Sequence, residues 1–150
     1  MTLSPELLRK LGSAPPHESD LQKSVARVLD HSGLTWCHVP NGGKRSPVEA
    51  AIMKGHGVKS GVPDVLVFDA FSIDDCRTIE EVQERRDAAM PREDSYRGMA
   101  IELKVGKNKC TPAQIEWQDK LRSAGWKVAV CYTLDEVLVV LKECYPQRIK

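Results

Sequence analysis

Apolar residues recur along this chain with two different periods, and the switches between them lay out its elements. From Glu18 to Ser32, Leu21, Val25, Val28 and Leu29 return at the three-to-four spacing of one helix face, with Gly33 where a helix would stop. Leu34 to Val39 reads as a strand, closed by the turn Pro40-Asn41-Gly42-Gly43. Ser46-Pro47-Val48-Glu49 combines a capping serine, proline at the first helical position and a glutamate three residues after the cap. It predicts a helix over 47–54, kept short by Gly55 and Gly57. Val65 to Asp69 is a near-continuous apolar run, the pattern of a strand covered on both faces, and Met99 to Val105 is a second strand. Thr111-Pro112-Ala113-Gln114 opens a helix to about Ala124, which Gly125 stops. Lys127 to Tyr132 is a strand, and Thr133-Leu134-Asp135-Glu136 predicts a third capping box at the head of a helix to about Cys144.

Two stretches stand apart. Residues 1–16, ending in Ala14-Pro15-Pro16, read as a short arm. Residues 72–97 read as an acidic insertion between adjacent strands; Thr78 to Ala89 offers only a thin helical face before Pro91. The remaining order of helices and strands predicts one α/β domain over 17–150, a mixed sheet flanked by helices.

Charge changes this picture more than composition does. The net charge of +1 hides an asymmetry: Asp74 to Asp94 holds eight acidic and four basic residues, a balance of −4, which leaves +5 on the rest. Lys44, Arg45, Lys54, Lys59, Lys104, Lys107 and Lys109 cluster in sequence around two conspicuous acids, a pattern that suits a phosphate-binding surface and equally an ordinary solvated one. The five cysteines are odd in number and form no C-x-x-C pair, against a disulfide framework or a zinc ribbon and in keeping with a reducing cytoplasm. No apolar run approaches the roughly 20 residues needed to cross a bilayer. The four histidines lack the spacing of a zinc site, and no Walker loop, dinucleotide loop or nucleophile triad is present.

The chemistry concentrates on three residues. Asp64 follows Gly61-Val62-Pro63 at the start of one strand; Glu102 and Lys104 interrupt the apolar run of the other. Residues two apart on a strand share a face, so Glu102 and Lys104 project together. A bare Glu-x-Lys is common, but burying both charges inside an apolar strand is costly unless they are paired or bound to a metal. If the two strands are neighbours, two carboxylates and an ammonium converge. Magnesium takes oxygen ligands and often only one or two protein carboxylates. Such an ion neutralises a phosphodiester and activates water, and the backbone carbonyl of Leu103 is a further candidate ligand.

Gly61-Val62-Pro63-Asp64, Ile101-Glu102-Leu103-Lys104 and Gln114 together resemble the virus-type replication-repair nuclease (VRR-NUC) domain, a branch of the PD-(D/E)xK superfamily. The likeness runs upstream through Pro40-Asn41-Gly42 to Gln22 and Glu18, and downstream to Gly125. It covers roughly residues 17–141. The long segment 72–97 departs from the short turn usual between these strands. The resemblance implies a restriction-endonuclease-like fold and a Mg2+- or Mn2+-dependent endonuclease. Asp64, Glu102, Lys104, Gln114 and Glu18 would be its catalytic set, with Glu18 binding a second metal or a metal-bound water. It also implies backbone contacts to DNA at Asn41 and Gly42; the basic cluster Lys44, Arg45, Lys54, Lys59, Lys107 and Lys109, read from charge alone, would then meet the phosphates. Two bland explanations stand beside these roles: Glu18 suits the first turn of any helix, and Gln114 suits the cap of its own.

The expectation is therefore a stand-alone nuclease of phage or bacterial type, cytoplasmic and homodimeric, that cuts branched DNA such as four-way junctions in replication, recombination or repair. Rival readings keep the fold but change the substrate, or replace turnover with a DNA-binding scaffold or a protein-interaction module built on the acidic insertion. Trp117 and Trp126 are expected in the core or at a dimer face.

Overall fold

The computed structural model describes residues 17–40, 46–72 and 95–149. Their elements are α1 (Glu18–Ser32), β1 (Trp36–His38), α2 (Pro47–Gly55), β2 (Val65–Val67), β3 (Phe71–Ser72), β4 (Ser95–Tyr96), β5 (Met99–Leu103), α3 (Pro112–Ser123), β6 (Lys127–Cys131) and α4 (Leu134–Cys144). The expected order holds, with strands one to three residues shorter than the sequence predicts. The arm 1–16, the turn residues 41–45 and the helix expected over 78–89 lie outside the described residues.

Four strands form one sheet in the order β1-β2-β5-β6. β2 is antiparallel to both β1 and β5, whereas β5 and β6 run parallel, joined by the crossover helix α3. The strands read as adjacent in sequence are adjacent in space. Val65 lies opposite Ile101 and Val67 opposite Met99, so all four share a face. That face meets Leu21, Val25 and Leu29 of α1 and Val137 and Leu141 of α4, and together they make the core. The periodic residues of α1 are buried as their spacing dictates. α3 packs on the opposite side, against β6.

The caps follow the sequence, with one correction. Ser46 and Glu49 close a full capping box on α2, and Thr111 and Gln114 close one on α3. At α4 only half of the box forms. Thr133 caps the Glu136 N–H, but the Glu136 carboxylate accepts from the Tyr132 N–H at 2.6 Å rather than from Thr133. A backbone donor one residue earlier wins the same side chain.

At the edges of the acidic segment read over 72–97 the chain forms two short strands. Phe71 pairs with Tyr96 and Ser72 with Ser95 in a separate two-stranded ladder, β3–β4. The Phe71 ring stacks on Tyr96 at 5.1 Å and meets Tyr145 edge-on at 4.9 Å. Both ends of the long connection are thus built into the fold.

Neither indicated tryptophan is a core residue. Trp126 is half-buried against Gly98 and edge-on to the exposed Phe68 ring at 5.8 Å. Trp117 lines an open groove of about 320 Å³ with Val39, Pro40, Met53, Gly57, Val58, Lys59 and Val62.

Candidate active site

Pro63 decides where the β2–β5 ladder ends. Extending the register Val65–Ile101 by two residues sets Pro63 opposite Leu103. Proline has no N–H, so the ladder stops on this side. The Leu103 N–H is taken up instead by the Asp64 carboxylate, Oδ2, at 2.8 Å. The same gap leaves the Leu103 carbonyl without the donor a non-proline residue would have brought.

Asp64 and Glu102 occupy opposed positions in the extended register and share the face away from the core. Glu102 is 0% exposed and Lys104 8%. The Lys104 ammonium and the Gln114 side-chain amide both donate to Glu102 Oε1. Glu102 Oε2 is buried with no hydrogen-bond partner. Gln114 also closes its helix, because its Oε1 accepts from the Thr111 N–H at 2.8 Å while its amide nitrogen holds Glu102. The cap and the site are one interaction.

Gly61 makes this closeness possible. It sits at φ 86°, and a Cβ there would come within 2.5 Å of the Ala113 carbonyl group and 2.9 Å of the Gln114 nitrogen. The loop carrying Asp64 therefore lies directly on the first turn of α3, which carries Gln114.

Electrostatics sharpen the arrangement. Burial pushes the Asp64 carboxyl above its usual range, more than the Leu103 N–H and the Lys104 charge pull it down, and the charge of Glu18 adds to the rise. Burial likewise raises Glu102 against the Lys104 hydrogen bond, with Asp64 and Glu18 as like charges. For Lys104, burial works to strip the proton, but Glu102 and Asp64 more than offset it, so its pKa is raised and it stays an ammonium. The site gathers negative charge, and among the described residues Lys104 balances it most directly.

Five residues indicated by sequence come together here: Asp64, Glu102, Leu103, Lys104 and Gln114 touch in one network. Glu18 is exposed at the head of α1 and acts on the two carboxylates through its field. Among the described residues, no group of three or more His, Cys, Asp or Glu side chains gathers as a metal cluster, so Glu18 stands apart from the inner pair. Lys54, Lys59, Lys107 and Lys109 are all exposed, as phosphate contacts would need to be. Asn41, Gly42, Lys44 and Arg45 lie outside the described residues. His38 escaped the sequence reading: its Nδ1 lies 2.8 Å from the Asp64 carbonyl oxygen. Only the β1–β2 register reveals it, because no histidine spacing marks it.

The fold and this site define a class: an α/β protein of the PD-(D/E)xK type, with aspartate at the head of one strand and Glu-x-Lys at the end of its neighbour. The family profile of the VRR-NUC domain matches residues 17–134, and the chain belongs to that family, a family of nucleases that generally work with divalent metals. A solved structure described as a VRR_NUC domain protein is similar with a TM-score of 0.61 at 23% identity, over 89% of this chain and 91% of the other, a likeness of fold. No curated protein matches the chain. Among the described residues, no helix is long and apolar enough to cross a membrane.

Proposed function

We propose that this protein is a Mg2+- or Mn2+-dependent endonuclease that hydrolyses DNA phosphodiester bonds, with branched DNA such as four-way junctions as its preferred substrate. The observation that carries the metal reading is the Glu102 carboxylate. One of its oxygens is shared by an ammonium and an amide, while the other is buried without a partner beside a second carboxylate. Leaving a buried charged oxygen unsatisfied costs on the order of several kcal/mol, and a hard cation bound by oxygen would satisfy it.

Asp64, Glu102 and the Leu103 carbonyl would hold the ion, with Glu18 outside them for a second ion or a bridging water. When bound, the ion neutralises phosphate charge and lowers the pKa of water. Lys104 places a fixed positive charge where negative charge develops on the phosphoryl oxygens, and orients the attacking water. Gln114 keeps Glu102 in its rotamer. The exposed lysines 54, 59, 107 and 109, with Lys44, Arg45 and the Asn41-Gly42 backbone, lead the phosphate chain across the site.

Paired incisions on a junction need two sites, so the reading includes a homodimer. A surface of suitable character exists: α2 buries none of its residues and exposes Val48 and Ile52. An isolated nine-residue helix is marginal without packing. The four cysteines among the described residues are free thiols, in keeping with the reducing cytoplasm.

The test is to incubate the purified protein with four-way junction, flap and linear duplex DNA in Mg2+, Mn2+ or EDTA, with Asp64→Ala and Lys104→Ala alongside. Junction nicking that needs metal and is lost in both variants supports the reading. Tight binding without cleavage in any metal would make the protein a scaffold, and equal cleavage of all three substrates would remove the junction preference. Light scattering reports the oligomer; a monomer that still resolves junctions would defeat the dimer.

A further inference from the structure

Asp64 is held from two sides, and one hold lies outside the catalytic set. Toward β5 its ladder ends at Pro63, leaving the carboxylate's contact with the Leu103 N–H at 2.8 Å. Toward β1 its backbone carbonyl receives the Val39 N–H at 2.8 Å and also the His38 ring nitrogen Nδ1 at 2.8 Å. A carbonyl oxygen only accepts, so Nδ1 must carry the hydrogen and donate. That fixes the tautomer of an exposed ring lying next to a strand end that has already lost one line of hydrogen bonds.

We propose that His38 is a positioning residue for Asp64. Its Nδ1–H clamps the Asp64 carbonyl and so holds the aspartate backbone where its carboxylate can face both the Leu103 N–H and the divalent ion. The inference rests on the metal-nuclease reading above. The chemistry is that of an outer partner that orients a ligand without touching the ion; loss of such partners lowers metal affinity by about 10- to 100-fold. Because the clamp acts through a backbone carbonyl rather than the carboxylate itself, the lower end of that range applies. Because the ring is exposed, its removal opens no cavity in the core.

The test uses the full chain without DNA and Mn2+ as the probe, titrated by calorimetry into wild type, His38→Ala and His38→Asn. Asparagine keeps an N–H donor at about the position of Nδ1 but lacks the rest of the ring. His38→Ala is expected to weaken Mn2+ binding by about 10-fold, and His38→Asn to recover it to within about threefold, with thermal midpoints and duplex binding in EDTA unchanged for both. In kinetics the alanine variant raises the Mn2+ concentration needed for half-maximal cleavage and leaves the KM for DNA alone. Nitrogen-15 NMR of the metal-free protein at pH 8 should report the Nδ1–H tautomer for His38. Unchanged Mn2+ affinity in His38→Ala, an asparagine variant as weak as alanine, or an Nε2–H tautomer would each overturn the proposal while wild type still binds Mn2+. Wild type that binds no Mn2+ would instead sink the metal reading, and this inference with it.

Discussion

The two faces of β5 are buried alike and composed oppositely. Met99, Ile101 and Leu103 point into the core at 0% exposure; Ala100, Glu102 and Lys104 alternate with them on the other face, and Glu102 is at 0% as well. On the first face these side chains join the apolar core, and burial itself is the stabilising term. On the second, burial works against the residues it encloses. It raises both carboxylates, and it is tolerated at Lys104 only because Glu102 and Asp64 lie beside it. Solvent exposure alone could not have told the faces apart. The difference lies in whether each buried atom has the neighbour its charge requires, and Glu102 Oε2 does not.

The strongest way to break this comparison is to make the polar face ordinary. Asp64→Asn is expected to lower metal-dependent cleavage by about 10³-fold, equivalent to about 4 kcal/mol of lost transition-state stabilisation. It should also raise the thermal midpoint of the metal-free protein at neutral pH by about 2–4 °C, because it removes a charge that burial disfavours. Circular dichroism and a cleavage assay on the same preparation check both signs. A variant less stable than wild type in EDTA would contradict the idea that the site is held at the expense of stability.

On the apolar face the signs should reverse. Ile101→Ala is expected to destabilise the protein by about 3–4 kcal/mol in urea denaturation, with turnover per folded molecule nearly unchanged. The next pair sharpens the contrast within the polar face. Lys104→Met alone leaves Glu102 buried with only Gln114 and should cost about 3 kcal/mol. Adding Glu102→Leu should return stability to within about 1 kcal/mol of wild type while cleavage stays absent.

The pH dependence follows from the raised carboxylates. Asp64 and Glu102 bind protons more tightly folded than unfolded, so between their ordinary values, 3.8 and 4.5, and their raised folded values the native state carries more protons. Their contribution to stability is present in full below the ordinary values and is lost as pH rises through the folded ones. Metal-free protein should lose part of its stability as pH rises just above the usual carboxylate range, and saturating Mn2+ should suppress the loss. Metal-dependent cleavage should rise with pH on its acid limb over that range, since the ligands must first ionise. The smallest effect is reserved for Gln114→Ala: about 1 kcal/mol from half of a cap, with about a tenfold loss of cleavage as Glu102 loses one of its two holds.

Much of this was legible in the chain because short-range rules governed it. The helix periodicity of Leu21, Val25 and Leu29, the proline-led caps at Ser46 and Thr111, and the Glu-x-Lys alternation each depend on residues within one turn or one strand. Convergence of Asp64 with Glu102 required one further step, the pairing of β2 with β5, and that pairing formed. What escaped detection depended on register between distant segments. His38 reaches Asp64 only because β1 lies antiparallel to β2 with His38 opposite Val65. The need for glycine at position 61 comes from Ala113, fifty-two residues away in sequence. Glu136 was misread as a reciprocal cap because a competing backbone donor at Tyr132 leaves no trace in the pattern Thr-x-x-Glu.

The small β3–β4 ladder has an architectural consequence. Ser72 and Ser95 face one another across an antiparallel pair, the geometry a two-residue hairpin turn can span. The 22 residues between them, 73–94, thus join two positions that already lie side by side. An Asn-Gly bridge from Ser72 to Ser95 should leave the frame around β2 and β5 intact. In design terms the ladder is a socket, two chain ends held side by side at which a change of the joining sequence is expected to leave the β2–β5 frame in place.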